Sequence, residues 1–175
     1  MLRSVLVACY MMTILLLGMR DQEASPQVPI VEPSGPQSTT QIATTVGGST
    51  VTIRASMPDG SMVSGSGFIV DASGTIVTNS HVVQDAERVE VRLPNGDVYD
   101  VSGVRSVDRK RDLAVLQIPA FGLPPAPLGN SDSVHPGDRI VVIGNALGIL
   151  ENTVTAGVIS GVREVEGYRL FVNVL

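Results

Sequence analysis

The sequence predicts an all-β domain. From about Val46 onward it consists of short segments rich in Val, Ile and Thr, punctuated by Gly, Asn, Asp and Pro. No stretch of ten or more residues in this region repeats its apolar positions at helical spacing. Many short strands at close spacing, with no helices between them, favour an antiparallel sandwich or barrel.

The segments follow in order. Thr50–Arg54 is the first. Ser66–Val70 and Thr75–Thr78 are joined by Asp71-Ala72-Ser73-Gly74, a hairpin loop in which glycine can supply a positive φ. Residues 88–93 alternate Val with charged side chains, then turn at Asn95-Gly96 into a strand over 98–107. The run 113–118 is nearly continuous in apolar character and reads as a strand buried on both faces. Residues 139–143 follow the turn His135-Pro136-Gly137-Asp138, and 153–160 and 168–175 complete the set.

Two appendages precede the domain. In residues 21–45, Pro26, Pro29, Pro33 and Pro36 are interleaved with Ser, Thr, Gln and Gly. Such a stretch buries too little apolar surface to offset its ordering entropy, so it reads as a linker. In residues 1–20, Arg3 is followed by an uncharged run from Ser4 to Met19, closed by Arg20 and Asp21. A positive start before an apolar middle is the pattern of an export signal. As a helix the run would cover roughly 24 Å, against about 30 Å of hydrocarbon, a mismatch that snorkelling flanks and local thinning accommodate. Arg20, Asp21, Gln22 and Glu23 leave no obvious small-residue cleavage site, which favours a signal-anchor; a cleaved signal peptide is the alternative, and a buried core helix the third reading. Cys9 sits inside the run, too early for a lipid-attachment site. Positive charge on the near side places the domain outside the cytoplasm.

Composition removes several functions. A net charge of -5 and 3% aromatic residues leave neither the clustered cations nor the stacking rings that nucleic-acid binding requires. One cysteine allows no intrachain disulfide and no cysteine-based metal site.

The chemistry concentrates in two places. Gly65-Ser66-Gly67-Phe68-Ile69-Val70 is followed by Thr78-Asn79-Ser80-His81-Val82-Val83, where a strand ends in small polar residues and presents a histidine. A histidine acts as a general base near neutral pH only when a neighbour fixes its tautomer and stabilises the imidazolium. By itself, a histidine at a strand end is more often structural. The other histidine, His135, lies in a turn and reads as solvent-exposed. Asp112, at the head of Asp112-Leu113-Ala114-Val115-Leu116, either closes a turn by accepting backbone N–H groups or orients such a histidine. Ser80 adjoins His81, but neighbours on an extended strand point to opposite faces, so Ser80 reads as structural.

The segments Gly-Ser-Gly-Phe-Ile-Val, Val-Thr-Asn-Ser-His-Val-Val, Asp-Leu-Ala-Val-Leu, Leu-Gly-Asn-Ser-Asp, Gly-Asp-Arg-Ile-Val-Val-Ile-Gly-Asn and Thr-Val-Thr-Ala-Gly-Val-Ile-Ser occur here in sequence. In order and spacing they resemble the HtrA/Deg family of trypsin-like serine proteases, over about Val46 to Leu175. The resemblance implies a chymotrypsin-like double β-barrel, with a first barrel over about Val46–Ala120 and an incomplete second one over about Pro127–Leu175. It implies that His81 is the general base and Asp112 its orienting carboxylate, in the His-before-Asp-before-Ser order of the chymotrypsin class. It further implies endoproteolysis of unfolded or mislocalised proteins outside the cytoplasm, without a metal or organic cofactor, and a homo-oligomer, often a trimer. The family's trimer contacts use aromatic residues near the start of the domain, whereas this chain has no Phe, Tyr or Trp between Asp21 and Gly67.

The departures from the family are specific. Its nucleophile lies in Gly-Asn-Ser-Gly-Gly, which does not occur in this sequence; Gly129-Asn130-Ser131 continues with Asp132 and reads as a connecting loop. No PDZ domain is present in these residues. On this reading the 175 residues lack the nucleophile segment and are inactive alone. The alternative is a noncatalytic, membrane-tethered pseudoprotease or binding module.

Overall fold

A computed structural model describes residues 37–146, 150–165 and 168–174. The reading of residues 1–20 as an anchor lies outside the described residues, as does most of the linker. Among the described residues no helix is long and apolar enough to cross a membrane.

The first element corrects the end of the linker. Thr39–Gly47 form a helix, α1. Ser38 caps it: its hydroxyl accepts the Gln41 N–H at 3.2 Å, and the Gln41 side chain accepts the Ser38 N–H at 2.8 Å. This reciprocal capping satisfies two donors that a helix start otherwise leaves open. Ile42 and Val46, one turn apart, are buried on one face. Packing of those two side chains outweighs the poor helix propensity of a threonine-rich segment.

Seven strands follow: β1 Thr50–Ser56, β2 Met62–Ile69, β3 Thr75–Thr78, β4 Arg88–Arg92, β5 Val98–Asp100, β6 Gly103–Asp108 and β7 Leu113–Gln117. A one-turn helix, α2 (Ser80–Val83), separates β3 from β4. The strands make one antiparallel sheet in the order β5-β4-β1-β2-β3-β7-β6. The expected single strand over 98–107 is two strands with a bend. Val101 N–H still donates to Val89 of β4, next to one edge, while Ser102 N–H donates to Gln117 of β7, next to the other. Consecutive residues thus join the two edges of the sheet, and the sheet curls back on itself. Ile53, Ile76, Leu116, Ile118 and Val91, none of them exposed, fill the interior.

The run 113–118 is not buried on both faces. Ala114, Leu116 and Ile118 are buried, while Leu113, Val115 and Gln117 are half-buried. The curled sheet has one interior, so its outward positions are only partly covered.

The second unit contains β8 (Arg139–Ala146), β9 (Leu150–Val165) and β10 (Tyr168–Val174), antiparallel in the order β10-β9-β8. β9 extends well beyond the expected 153–160 because it pairs with β8 along one edge and β10 along the other. One apolar layer joins Ile140, Val142 and Ile159 of this unit to Val134 of the connecting segment. A second layer is shared: Val141 and Ile143 pack with Phe68 of β2, Ala126 of the connecting segment, and Ile42 and Val46 of α1. Alternation along β8 sends successive side chains to these two layers, so β8 and α1 dock the second unit onto the first.

Candidate active site

β3 and β7 are antiparallel neighbours, with Thr78 opposite Ala114. The chain leaving β3 and the chain entering β7 therefore emerge at the same end of the sheet. Asn79, Ser80 and His81 lie just past one strand, and Asp112 just before the other.

Local geometry then sets the side chains. Asn79 is extended and starts α2. Gly65 on β2 makes room for that helix: a Cβ there would stand 2.5 Å from Val82 Cγ2. Val82 is accordingly buried beneath α2, and His81 on the adjoining position of the turn is left facing outward. The expectation that Ser80 and His81 lie on an extended strand is therefore corrected. In a helical turn, neighbouring side chains are about 100° apart rather than opposed, and both reach Asp112.

Asp112 has φ 55°, in the left-handed region that few residues other than glycine adopt. Its carbonyl accepts the Ser80 N–H and the Asn79 carboxamide, each at 3.2 Å, which holds this conformation. Its carboxylate Oδ1 accepts the Ser80 hydroxyl at 2.8 Å and the His81 backbone N–H at 2.9 Å. Oδ2 accepts the Asn79 Nδ2–H at 3.0 Å and meets His81 Nδ1 at 2.6 Å. Burial opposes ionisation of this carboxyl, but the hydrogen bonds from the His81 backbone, the His81 ring and the Ser80 hydroxyl outweigh it. They hold the carboxyl below the usual carboxylate range. An ionised carboxylate only accepts, so Nδ1 is the donor of this pair, and in the neutral ring the lone pair is then on Nε2. The ring is 55% exposed, against 35% for Asp112, so the carboxylate backs a ring that reaching molecules can touch.

Sequence reasoning named His81 and Asp112, and the structure brings them together. It missed Asn79 and Ser80. An Asn-Ser dipeptide immediately after a strand, ahead of the histidine, is a capping signal that could have suggested a turn rather than continued strand. His135 lies in the turn leading into β8, exposed, with its backbone N–H donating to Asp138. Ser131 begins a 3-10 turn over Ser131–Ser133 in the connector, capped by Asn130. Arg169 of β10 grips that turn, donating to the Ser131 carbonyl at 2.6 Å and the Val134 carbonyl at 3.0 Å.

A curled antiparallel sheet docked on a second sheet, with a histidine and a carboxylate hydrogen-bonded at the strand ends, is the architecture of a trypsin-like domain. The chain belongs to the family of trypsin-like peptidase domains, whose profile matches residues 65–173. Within it, the relatives are of HtrA type. The chain is 50% identical over 98 residues to the putative serine protease HhoA of Synechocystis sp., covering 55% of this chain and 24% of that one. It is 48% identical over 98 residues to a probable periplasmic serine endoprotease, DegP-like, of Chlamydia muridarum, covering 56% and 19%. The HtrA-type protease AlgW, solved with a tripeptide, superposes with a TM-score of 0.69 at 30% identity, covering 74% of this chain and 42% of that one. The chain thus spans a quarter or less of the length of these curated relatives.

Proposed function

We propose that this chain carries the proton-handling half of an HtrA/Deg-type serine endopeptidase, with His81 as general base and Asp112 as its orienting carboxylate. The observation that carries the reading is the 2.6 Å contact between His81 Nδ1 and Asp112 Oδ2. With Nδ1 committed to the carboxylate, Nε2 takes the proton of a serine hydroxyl as that oxygen attacks a peptide carbonyl. The resulting imidazolium, stabilised by the Asp112 charge, then returns the proton to the leaving amine. The nucleophile is the part these residues do not supply. The Gly-Asn-Ser-Gly-Gly motif is absent from the 175 residues, and the Ser80 hydroxyl is engaged by Asp112. Residues 1–175 alone therefore hydrolyse no protein.

The substrates on this reading are unfolded or mislocalised proteins outside the cytoplasm. The DegP-like relative's name, a probable periplasmic endoprotease, supports the location, as does the apolar run after Arg3. Residues 1–20 would then tether the domain to the membrane from its outer side, residues from 21 to the start of α1 would space it away, and the remainder is the protease domain.

The test is a chimera in which the nucleophile-bearing segment of a relative is joined after residue 175. It should hydrolyse casein, and His81→Ala should remove that activity, since losing one triad member costs on the order of 10⁶ in kcat in the serine-protease precedent. Hydrolysis by residues 1–175 themselves, or a chimera indifferent to His81→Ala, would refute the assignment. A folded but inactive chimera would favour the noncatalytic module.

A further inference from the structure

We infer that Ser80 is a positioning residue: its hydroxyl, together with the Asn79 carboxamide, sets how strongly the Asp112 carboxylate acts on the His81 ring. The inference rests on the roles proposed above for His81 and Asp112. A carboxylate offers about four lone-pair sites, and here four donors occupy them. Two come from His81, through its backbone N–H and Nδ1, and two from the side chains of Ser80 and Asn79. The side-chain donors are sheltered, Ser80 being 5% exposed and Asn79 3%, so water does not readily replace them.

Two consequences follow from where each donor sits. The Ser80 hydroxyl and the His81 N–H both hold Oδ1, which stops the carboxylate from rotating and keeps Oδ2 aimed at the ring. Each neutral donor also draws negative charge from the carboxylate. Less charge then faces the imidazolium, and the ring gives up its proton more readily than it would beside a bare carboxylate. Ser80 thus adjusts the basicity of a residue it does not touch through its side chain. The nearby charged groups lie on both flanking elements. Asp85, just past α2, and Arg109, just past β6, line a shallow concavity with Ser80, while Arg111 is paired with Asp108. These groups stay in place in every variant below, so differences report the hydroxyl.

The experiment titrates the full chain by NMR, following the Asp112 carboxyl carbon and the imidazole C–H signals of both histidines. His135, exposed in its turn, is the internal reference. In Ser80→Ala the Asp112 and His81 midpoints should both rise by about half a pH unit, roughly a threefold change in proton affinity, with His135 unmoved. Ser80→Thr, which restores a hydroxyl, should return both midpoints to those of the parent chain. If either of these variants fails to fold, Ser80→Cys keeps the volume with a weaker donor and should raise both midpoints. Unmoved midpoints in the folded alanine or cysteine variant, or a folded threonine variant that does not restore them, would overturn the inference. None of these readouts needs proteolysis, so an inactive chimera would count against the hydrolytic roles and not against this coupling.

Discussion

Val82 fills the space that Gly65 leaves open: the β2 backbone at Gly65 lies so close to the Val82 side chain that a Cβ would meet Cγ2 at 2.5 Å and Cγ1 at 2.8 Å. This contact seats α2, and α2 carries His81. Gly65→Ala should therefore lower stability by about 1–3 kcal/mol and disturb the His81 signals in an NMR spectrum. Combining it with Val82→Ala removes the colliding atoms, so the double variant should be more stable than the sum of the two single losses. Urea unfolding of the four proteins measures the coupling.

Ile42 separates a docked helix from a solvated linker. It is 5% exposed and packs with Val46, Phe68 and Ile143. Ile42→Ala should cost about 2–4 kcal/mol, as removal of a buried isoleucine side chain does. A loss below about 0.5 kcal/mol would be that of a surface substitution, and would show that α1 does not cover the core in solution. Chemical denaturation at neutral pH reads it directly.

Asp71 makes the β2–β3 turn sensitive to acid. Burial pushes its carboxyl up, but hydrogen bonds from the Ser73 and Thr75 hydroxyl and backbone groups outweigh it and bring it to about 2 from an ordinary 3.8. A carboxyl lowered in the folded state contributes stability that is complete above its unfolded value and fades as pH falls through the folded one. The contribution should thus be present above about pH 4 and be lost progressively toward about pH 2. Asp71→Asn should be less stable than the parent chain at pH 6, and the gap should narrow by pH 2.5. An equal gap at both values in thermal melts would remove Asp71 from the acid response.

Arg169 ties β10 to the connector between the two units. Its guanidinium serves the Ser131 and Val134 carbonyls, approaches Asp132 at 3.4 Å, and lies 5.3 Å from the centre of the Phe171 ring. Arg169→Ala should cost about 1–3 kcal/mol, because charged donors to buried carbonyls are lost. Arg169→Lys should recover less than half, since one ammonium cannot reproduce the planar fork. Hydrogen exchange at Val134, whose N–H closes the 3-10 turn onto Ser131, should quicken in both. Unchanged exchange would mean the grip is incidental.

Much of the molecule could be read without its structure. The turns at Asp71–Gly74, Asn95-Gly96 and His135–Asp138 all fall between strands, and Thr75–Thr78 is a strand with the expected bounds. His81 and Asp112 were paired only through the family resemblance, whose motifs are linear, each spanning a few consecutive residues. The errors cluster where long-range contacts decide. Thr39–Gly47 is threonine-rich and has little helical preference of its own; it is helical because Ile42 and Val46 find Phe68 and Ile143. Val98 to Val107 read as one strand, and the break at Val101-Ser102 exists because its two halves pair with different partners, β4 and β7.

By itself the sequence determined the strand-forming segments, their turns and the residue types able to perform acid–base chemistry, since β-branched patterning and turn preference act over a few residues. Tertiary structure alone decided that these residues meet. His81 and Asp112 are 31 positions apart, and only the pairing of Thr78 with Ala114 brings their two chain segments to one end of the sheet. It also decided that Ser80 faces Asp112, because the helical turn α2 is seated by Val82 in the space that Gly65 leaves on another strand, a contact no local signal specifies.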